Sequence, residues 1–193
     1  MGVIGESGCG KSTAMRALMG LLGNEADASC DRFCFLGEEG TFSPNKVQKK
    51  MAMIFQDPFS YLNPTVKIGK QIEQAVRIHS GGNKKERKQR VCDLLEMAGI
   101  RMPKQRMSQY PHELSGGMRQ RVVTAIALAC NPKLIIADEP TTALDVIVQG
   151  QMILLLKRLA KETKAAVLLV SHDFGVIASM CERVYVMKEG TFI

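Results

Sequence analysis

A chain of 193 residues, 46% hydrophobic and 23% charged with both signs mixed, has the length for one core with a modest excursion and not for two full domains. No apolar run approaches the roughly 20 residues needed to cross a bilayer, and Met1-Gly-Val-Ile4 leads directly into a glycine-rich loop, leaving no expected room for a secretory signal. The six cysteines (Cys9, Cys30, Cys34, Cys92, Cys130 and Cys181) contain no CxxC pair and no zinc-finger spacing, so reduced cytosolic thiols are expected rather than a disulfide framework or a zinc site.

In chain order, Val3-Ile4 reads as the stub of a strand and Ser12 to Leu22 as a helix with Met15, Leu18, Leu21 and Leu22 on one face. The stretch from Gly23 to Pro44 is weakly patterned and reads as irregular. Met51 to Phe55 is a short buried strand ended by Asp57-Pro58. From about Val66 the pattern turns helical, through Ile68, Ile72, Ala75 and Val76 and again from Val91 to Ala98, with Gly81-Gly82 and Pro103 as breaks. A helical block between strands predicts a subdomain standing off a sheet. Met118 to Cys130 is a further helix stopped by Asn131-Pro132. Leu134–Ala137, Ala166–Val170 and Val184–Met187 are apolar runs of strand length, apt for a sheet covered on both faces, with a helix over Val146–Ala160 between the first two. Alternating strands and helices predict a mainly parallel sheet.

Charge is uneven. Between Val76 and Arg106 nine Lys or Arg face three acids, which places +6 of the net +7 in one segment. A nucleic-acid surface is one interpretation. The segment lacks interleaved aromatics, however, and Val91, Leu94, Leu95 and Ala98 fall at helical spacing, so a solvated helix face is expected.

The chemistry sits at the element junctions. Gly5, Glu6, Ser7, Gly8, Cys9, Gly10, Lys11 and Ser12, followed by Thr13, satisfy the GxxxxGK[ST] spacing between a strand and a helix. Glycines let successive N–H groups point at one phosphate chain, and the helix start adds its positive dipole end. Lys11 is expected to reach the β- and γ-phosphates and Ser12 to ligate Mg2+. Cys9 is expected to contribute its backbone, a redox role being the alternative. Leu134-Ile-Ile-Ala-Asp138-Glu139 is the acidic end of a buried strand. A carboxylate there is costly unless a cation meets it. Asp138 is therefore expected to hold Mg2+, and Glu139 to orient or deprotonate an attacking water. Gln56, after the second strand, can accept from a water and approach Mg2+; His172, after Val167-Leu-Leu-Val-Ser171, can hydrogen-bond a γ-phosphate. Taken alone, such a Gln is more often a surface residue and such a His a satisfied structural one, and His79 and His112 have no comparable setting. Leu114-Ser-Gly-Gly-Met-Arg-Gln120 opens a helix with Ser115 as N-cap, a second anion cradle without a lysine, formed with Gly116 and Gly117.

With these motifs in place, the chain resembles the ATPase subunits of ATP-binding-cassette (ABC) transporters along essentially its whole length. The resemblance implies an α/β, P-loop NTPase (RecA-like) fold. A mainly parallel sheet core over 1–65 and 116–193 would carry an inserted α-helical subdomain over 66–115. It implies ATP and Mg2+ as cofactors, Gln56 as the Q-loop glutamine, Asp138 as the magnesium aspartate, Glu139 as the catalytic glutamate and His172 as the switch histidine. Asp145, in Ala143-Leu-Asp145, resembles the D-loop aspartate at a dimer seam, and Ser115 and Gly117 would contact a γ-phosphate held by a second ABC ATPase subunit. Phe55-Gln-Asp-Pro-Phe-Ser-Tyr-Leu-Asn-Pro64 and Tyr110-Pro-His-Glu-Leu114 resemble the oligopeptide/dipeptide/nickel import branch. That branch implies transmembrane permease subunits, a solute-binding protein served indirectly, a peripheral position on the cytoplasmic face of a bacterial membrane, and no nucleic acid. A soluble ABC ATPase acting on nucleic acid or ribosomes, or a non-hydrolysing remnant, are the alternatives. Relative to the family pattern, the chain lacks N-terminal antiparallel strands with an adenine-stacking aromatic and a C-terminal extension, so a shortened domain with weakened ATP affinity is expected.

Overall fold

The computed structural model of the protein describes residues 1–23, 26, 28–40, 48–57, 60–142 and 145–193. Its frame is a six-stranded sheet in the order β4-β5-β6-β1-β7-β8, built from β1 (Gly2–Ile4), β4 (Met51–Ile54), β5 (Leu134–Asp138), β6 (Ala166–Ser171), β7 (Val184–Lys188) and β8 (Thr191–Phe192). Pairings from β4 through β7 are parallel, and only β7 with β8 is antiparallel.

Period-two alternation explains how short strands hold this sheet. On β4, Ala52 and Ile54 enter one apolar cluster while Met51 and Met53 enter the other. On β5, Ile135 and Ala137 face the first cluster and Ile136 the second. The second cluster is closed by Met15 and Met19 at helix α1 (Lys11–Leu18). The first is closed by α2 (Ile68–His79), α3 (Lys84–Met97), α5 (Gly116–Leu128), α6 (Val146–Thr163) and α7 (Phe174–Met180); the short helix α4 is Pro103–Arg106.

The helical block follows its sequence pattern. Ile68, Ile72 and Val76 recur every four residues on α2 and are buried, as are Val91, Leu94, Leu95 and Ala98 along α3. Asn83 starts α3 with a capping box: its side chain accepts from Lys85 and Glu86 N–H, and Glu86 accepts from the Asn83 N–H at 2.9 Å. The basic run is divided among neighbours. Arg87 pairs with Glu73 at 3.2 Å, while Arg101 and Arg106 turn toward a cleft shared with Arg121 and Arg158.

Several expectations need correction. α1 stops at Leu18 because the chain turns at Met19-Gly20, so Leu21 leaves the apolar face and is 48% exposed. The stretch read as irregular contains an antiparallel hairpin, β2 (Phe33–Phe35) with β3 (Glu38–Gly40), turned by Leu36 and Gly37 at positive φ. Pro44 lies outside the described residues, as do Pro58, Phe59, Ala143 and Leu144 of the quoted motifs. The sheet is covered on both faces at β4 to β6 but not at β7, where Val184, Tyr185 and Val186 are exposed. Among the described residues no helix is long and apolar enough to cross a membrane, and none of the six cysteines is in a disulfide.

Candidate functional site

The glycine-rich loop joins β1 to α1, and its backbone explains its composition. Gly10 has φ 100°, a conformation that side-chain-bearing residues rarely adopt. A Cβ at Gly5 would stand 2.2 Å from the Met187 carbonyl oxygen, so only glycine lets the loop lie against β7. No side chain caps α1 at Gly10. Its first N–H groups therefore point outward as an anion-binding end of a helix. Lys11 is buried, with Nζ donating to Gly5 O at 2.8 Å and Glu6 O at 2.7 Å, and Cys9 Sγ lies 3.8 Å away. The ammonium is thus held inside the curve of the loop.

Ser7, Gly8, Gly10, Lys11, Ser12, Thr13, Gln56 and Glu139 line a cleft of about 280 Å³. Behind it, Ser12 Oγ donates to Asp138 Oδ1 at 2.9 Å, a contact across 126 residues that parallel pairing of β5 to β6 and β6 to β1 makes possible. Asp138 is only 2% exposed. Burial pushes its carboxyl above the ordinary carboxylate range, and the Ser12 hydrogen bond offsets part of that rise. A buried, partly compensated carboxylate beside a hydroxyl fits a divalent cation. Among the described residues no group of three or more His, Cys, Asp or Glu could hold a metal. A cation here would therefore complete its shell with phosphate and water oxygens.

Glu139 follows with φ 46°, and its N–H donates to Val170 O at 2.9 Å, extending the strand pairing by one residue. Its carboxylate gathers the remaining candidates. Gln56 Nε2 donates to Oε2 at 3.2 Å, Thr142 Oγ1 donates to the same oxygen at 3.0 Å, and His172 Nδ1 lies 3.3 Å from Oε1. The three strand ends of β4, β5 and β6 so converge on one side chain. Asp173, after His172, caps α7 by accepting from Gly175 N–H at 2.7 Å.

Ser115, Gly116 and Gly117 are not among the cleft walls. Ser115 is exposed, caps α5 and accepts a long 3.4 Å bond from Met118 N–H. Asp145 caps α6, accepting from Val148 N–H at 2.9 Å, and is likewise outside the cleft. Of the residues singled out in the sequence, the structure brings together the loop, Ser12, Gln56, Asp138, Glu139 and His172, and leaves the signature and Asp145 apart.

Sequence reasoning passed over two polar residues here. Gln120, 2% exposed within the apolar α5, donates to Phe55 O at 3.3 Å and ties the signature helix to the chain beside Gln56. Arg119 and Arg121 flank it in the sequence, so no local pattern marked it as buried. Thr142 carried no signal apart from its position three residues after Glu139. A larger cleft of about 900 Å³, lined by Arg101, Arg106, Arg121 and Arg158, contains none of the candidate residues, so side-chain chemistry rather than size selects the site.

The chain is similar to known proteins along its length. The sequence pattern of the ABC transporter family matches residues 1–142. The chain is 44% identical over 198 residues to the dipeptide transport ATP-binding protein DppD of Escherichia coli, covering 100% of this chain and 61% of that protein. It is 45% identical over 199 residues to the oligopeptide transport ATP-binding protein OppD of Bacillus subtilis, covering 100% and 56% respectively. It thus spans about three-fifths of the length of these curated relatives. Among solved structures, cbiO1 from Clostridium perfringens, part of the ABC transporter complex cbiONQ, superposes with a TM-score of 0.84 at 28% identity over 100% of this chain and 74% of that one. An ATP-binding cassette solved as a dimer in a post-hydrolysis state with ADP and Pi gives a TM-score of 0.79 at 30% identity, over 98% and 81%. With a family pattern matched over most of its length and a solved cassette covered to that extent, the chain belongs to the ABC transporter family.

Proposed function

We propose that the chain is the ATP-binding and hydrolysing subunit of an importer, energising transport of di- or oligopeptides or nickel. The observation that carries this reading is the separation of two anion cradles on one chain. The loop cleft has Lys11, a cation-binding pair in Ser12 and Asp138, and a carboxylate for water in Glu139. The start of α5 has only Ser115, Gly116 and Gly117, none of which lines that cleft. A triphosphate held in the first therefore meets the second only when another cassette, identical or different, presents it.

Each part has a chemical task. The loop N–H groups and Lys11 bind the phosphates, and Ser12 and Asp138, with Gln56 at the rim, would hold Mg2+. The cation would neutralise charge developing between the β- and γ-phosphates. Glu139 orients the attacking water and receives its proton. His172 reaches the γ-phosphate, and Asp145 lies at the dimer seam. Closure of two cassettes adds the signature donors only when a γ-phosphate is present, so ATP stabilises the closed pair and hydrolysis releases it. The helical block over 66–115 would face permease subunits at the cytoplasmic surface of a membrane, served in turn by a solute-binding protein. The relatives' names as dipeptide and oligopeptide transport ATP-binding proteins support the peptide assignment.

The decisive variant is Glu139→Gln. Its phosphate release should fall about 10²–10⁴-fold, the usual worth of a positioned base, while MgATP drives the protein into a dimer on size-exclusion chromatography. Hydrolysis at the unmodified rate would refute Glu139 as the base, and failure to dimerise would refute the two-cradle reading.

A further inference from the structure

Glu139 is over-constrained in a way that separates its partners into two kinds. Gln56 and His172 approach from the ends of β4 and β6; both are exposed, Gln56 lines the cleft, and both have tasks on the nucleotide under the function proposed above. A side chain that turns to Mg2+ or γ-phosphate ceases to hold Glu139. Thr142 differs. It is three residues along the same turn, its Oγ1 donates to Glu139 Oε2 at 3.0 Å, and its N–H donates to Glu139 O at 3.2 Å. Like His172 it is not a wall of the cleft, but it is half-buried and the function proposed above gives it no task on the nucleotide.

The backbone makes such a restraint necessary. Glu139 has φ 46°, the left-handed region, which costs a side-chain-bearing residue of order 1–3 kcal/mol and persists only where neighbours fix it. Its N–H is fixed to Val170 O, so the main chain at the base is anchored to β6. The carboxylate still has free torsions beyond Cα. A hydroxyl from the same turn removes much of that freedom and travels with the base through any movement of the nucleotide-contacting loops. It also leaves Oε1, the oxygen facing His172, to receive the proton of water.

We propose that Thr142 is a positioning residue that aims the Glu139 carboxylate during hydrolysis, acting when Gln56 and His172 are engaged by nucleotide. This inference rests on Glu139 being the base. Thr142 lines no part of the cleft that would hold phosphate, so its contribution belongs to turnover and not to binding.

The test uses Thr142→Val, which keeps the side-chain shape and removes the donor, with Thr142→Ala repeating it without a branched side chain and Thr142→Ser restoring the hydroxyl. Steady-state phosphate release should show kcat lowered about tenfold in the Val and Ala variants, a fraction of the full worth of a positioned base. KM and nucleotide Kd should stay within about twofold, and the Ser variant should recover to a similar margin. In a Glu139→Gln background, Thr142→Val should produce no further loss, because a residue acting through the base has nothing left to act on. Normal kcat in both donor-free variants, a rise in KM that accounts for the loss, or a Ser variant as slow as Val would each overturn the role of Thr142. If Glu139→Gln is inactive while Thr142→Val is normal, only this inference falls. If Glu139→Gln turns over at full speed, the assignment of the base falls with it.

Discussion

The two anion cradles of this chain are built on opposite principles. The loop before α1 is wired inward: Lys11 is buried against its own carbonyls, Ser12 is bonded to Asp138, and Glu139 is held by three side chains. The start of α5 is open on the side of Ser115 and Gly116: Ser115 is exposed and makes one long capping bond, and a Cβ at Gly116 would meet no atom within 4 Å, while Gly117 packs against Val148. Preorganised donors bind a ligand without further ordering, whereas an open helix start gains partners only from outside. On the function proposed above, the difference teaches that the first cradle would capture nucleotide alone and the second would complete a site formed by two chains.

The sharpest way to break this comparison is to spoil the second cradle without touching the first. Gly116→Asp does so, because its side chain enters open space and an acid in the first turn suits the helix dipole. Nucleotide affinity of the monomer and the melting temperature should be unchanged. ATP-dependent dimerisation should be lost, and phosphate release should fall about 10²–10³-fold, the scale for losing donors aimed at transition-state charge. Unchanged turnover, measured beside unchanged affinity, would make the first cradle sufficient for hydrolysis and end the two-chain account.

The reverse experiment spoils the first cradle. Lys11→Ala removes an ammonium held at 2.8 Å and 2.7 Å by loop carbonyls. A charge-assisted hydrogen bond contributes about 1.5–3 kcal/mol, so ATP affinity by isothermal titration should weaken about 10- to 100-fold. Equal weakening by Gly116→Asp would erase the distinction between the cradles. A smaller effect follows from Ser115→Ala, which deletes the cap of α5. Caps contribute about 0.5–2 kcal/mol, and the 3.4 Å bond here places the loss in thermal unfolding at the low end.

The same contrast governs what was legible in the sequence. The loop and the acidic strand end were readable because each must occur at a strand junction, and both do, at β1 and β5. Buried helix faces were readable from spacing, as at Ile68, Ile72 and Val76. The hairpin at Phe33–Gly40 was not, because a three-residue strand carries too little alternation, and its turn uses Leu36 at φ 56° where glycine or asparagine would have signalled it. β8 and α7 were not readable for the same reason, being 2 and 7 residues long. The convergence of Gln56, Thr142 and His172 on Glu139 was illegible for a deeper cause. Gln56 and His172 meet Glu139 through the register of β4, β5 and β6, whose partners lie 83 residues apart from β4 to β5 (Met51 with Leu134) and 32 apart from β5 to β6 (Leu134 with Ala166), and such distant pairing leaves no local trace.

The smallest expected effect concerns the energy stored in the inward wiring itself. Burial raises the Asp138 carboxyl above its ordinary value, with the Ser12 hydrogen bond and the Arg16 and Lys11 charges opposing that rise and Glu139 adding to it. Between the ordinary carboxylate value and the raised one, the folded chain binds more protons than the unfolded chain. Stability from this group therefore falls as pH rises through that window and stays lower above it. Asp138→Asn removes the penalty. Without nucleotide or Mg2+, the variant should melt above the unmodified protein at neutral pH, and the gap should close as pH falls below the ordinary carboxylate range. With MgATP present the order should reverse, because only the unmodified chain gains the cation. A variant that melts lower at neutral pH in the nucleotide-free state would mean that the Ser12–Asp138 contact stabilises the fold by itself, and the first cradle would then owe its geometry to packing instead of to a site held ready for a cation.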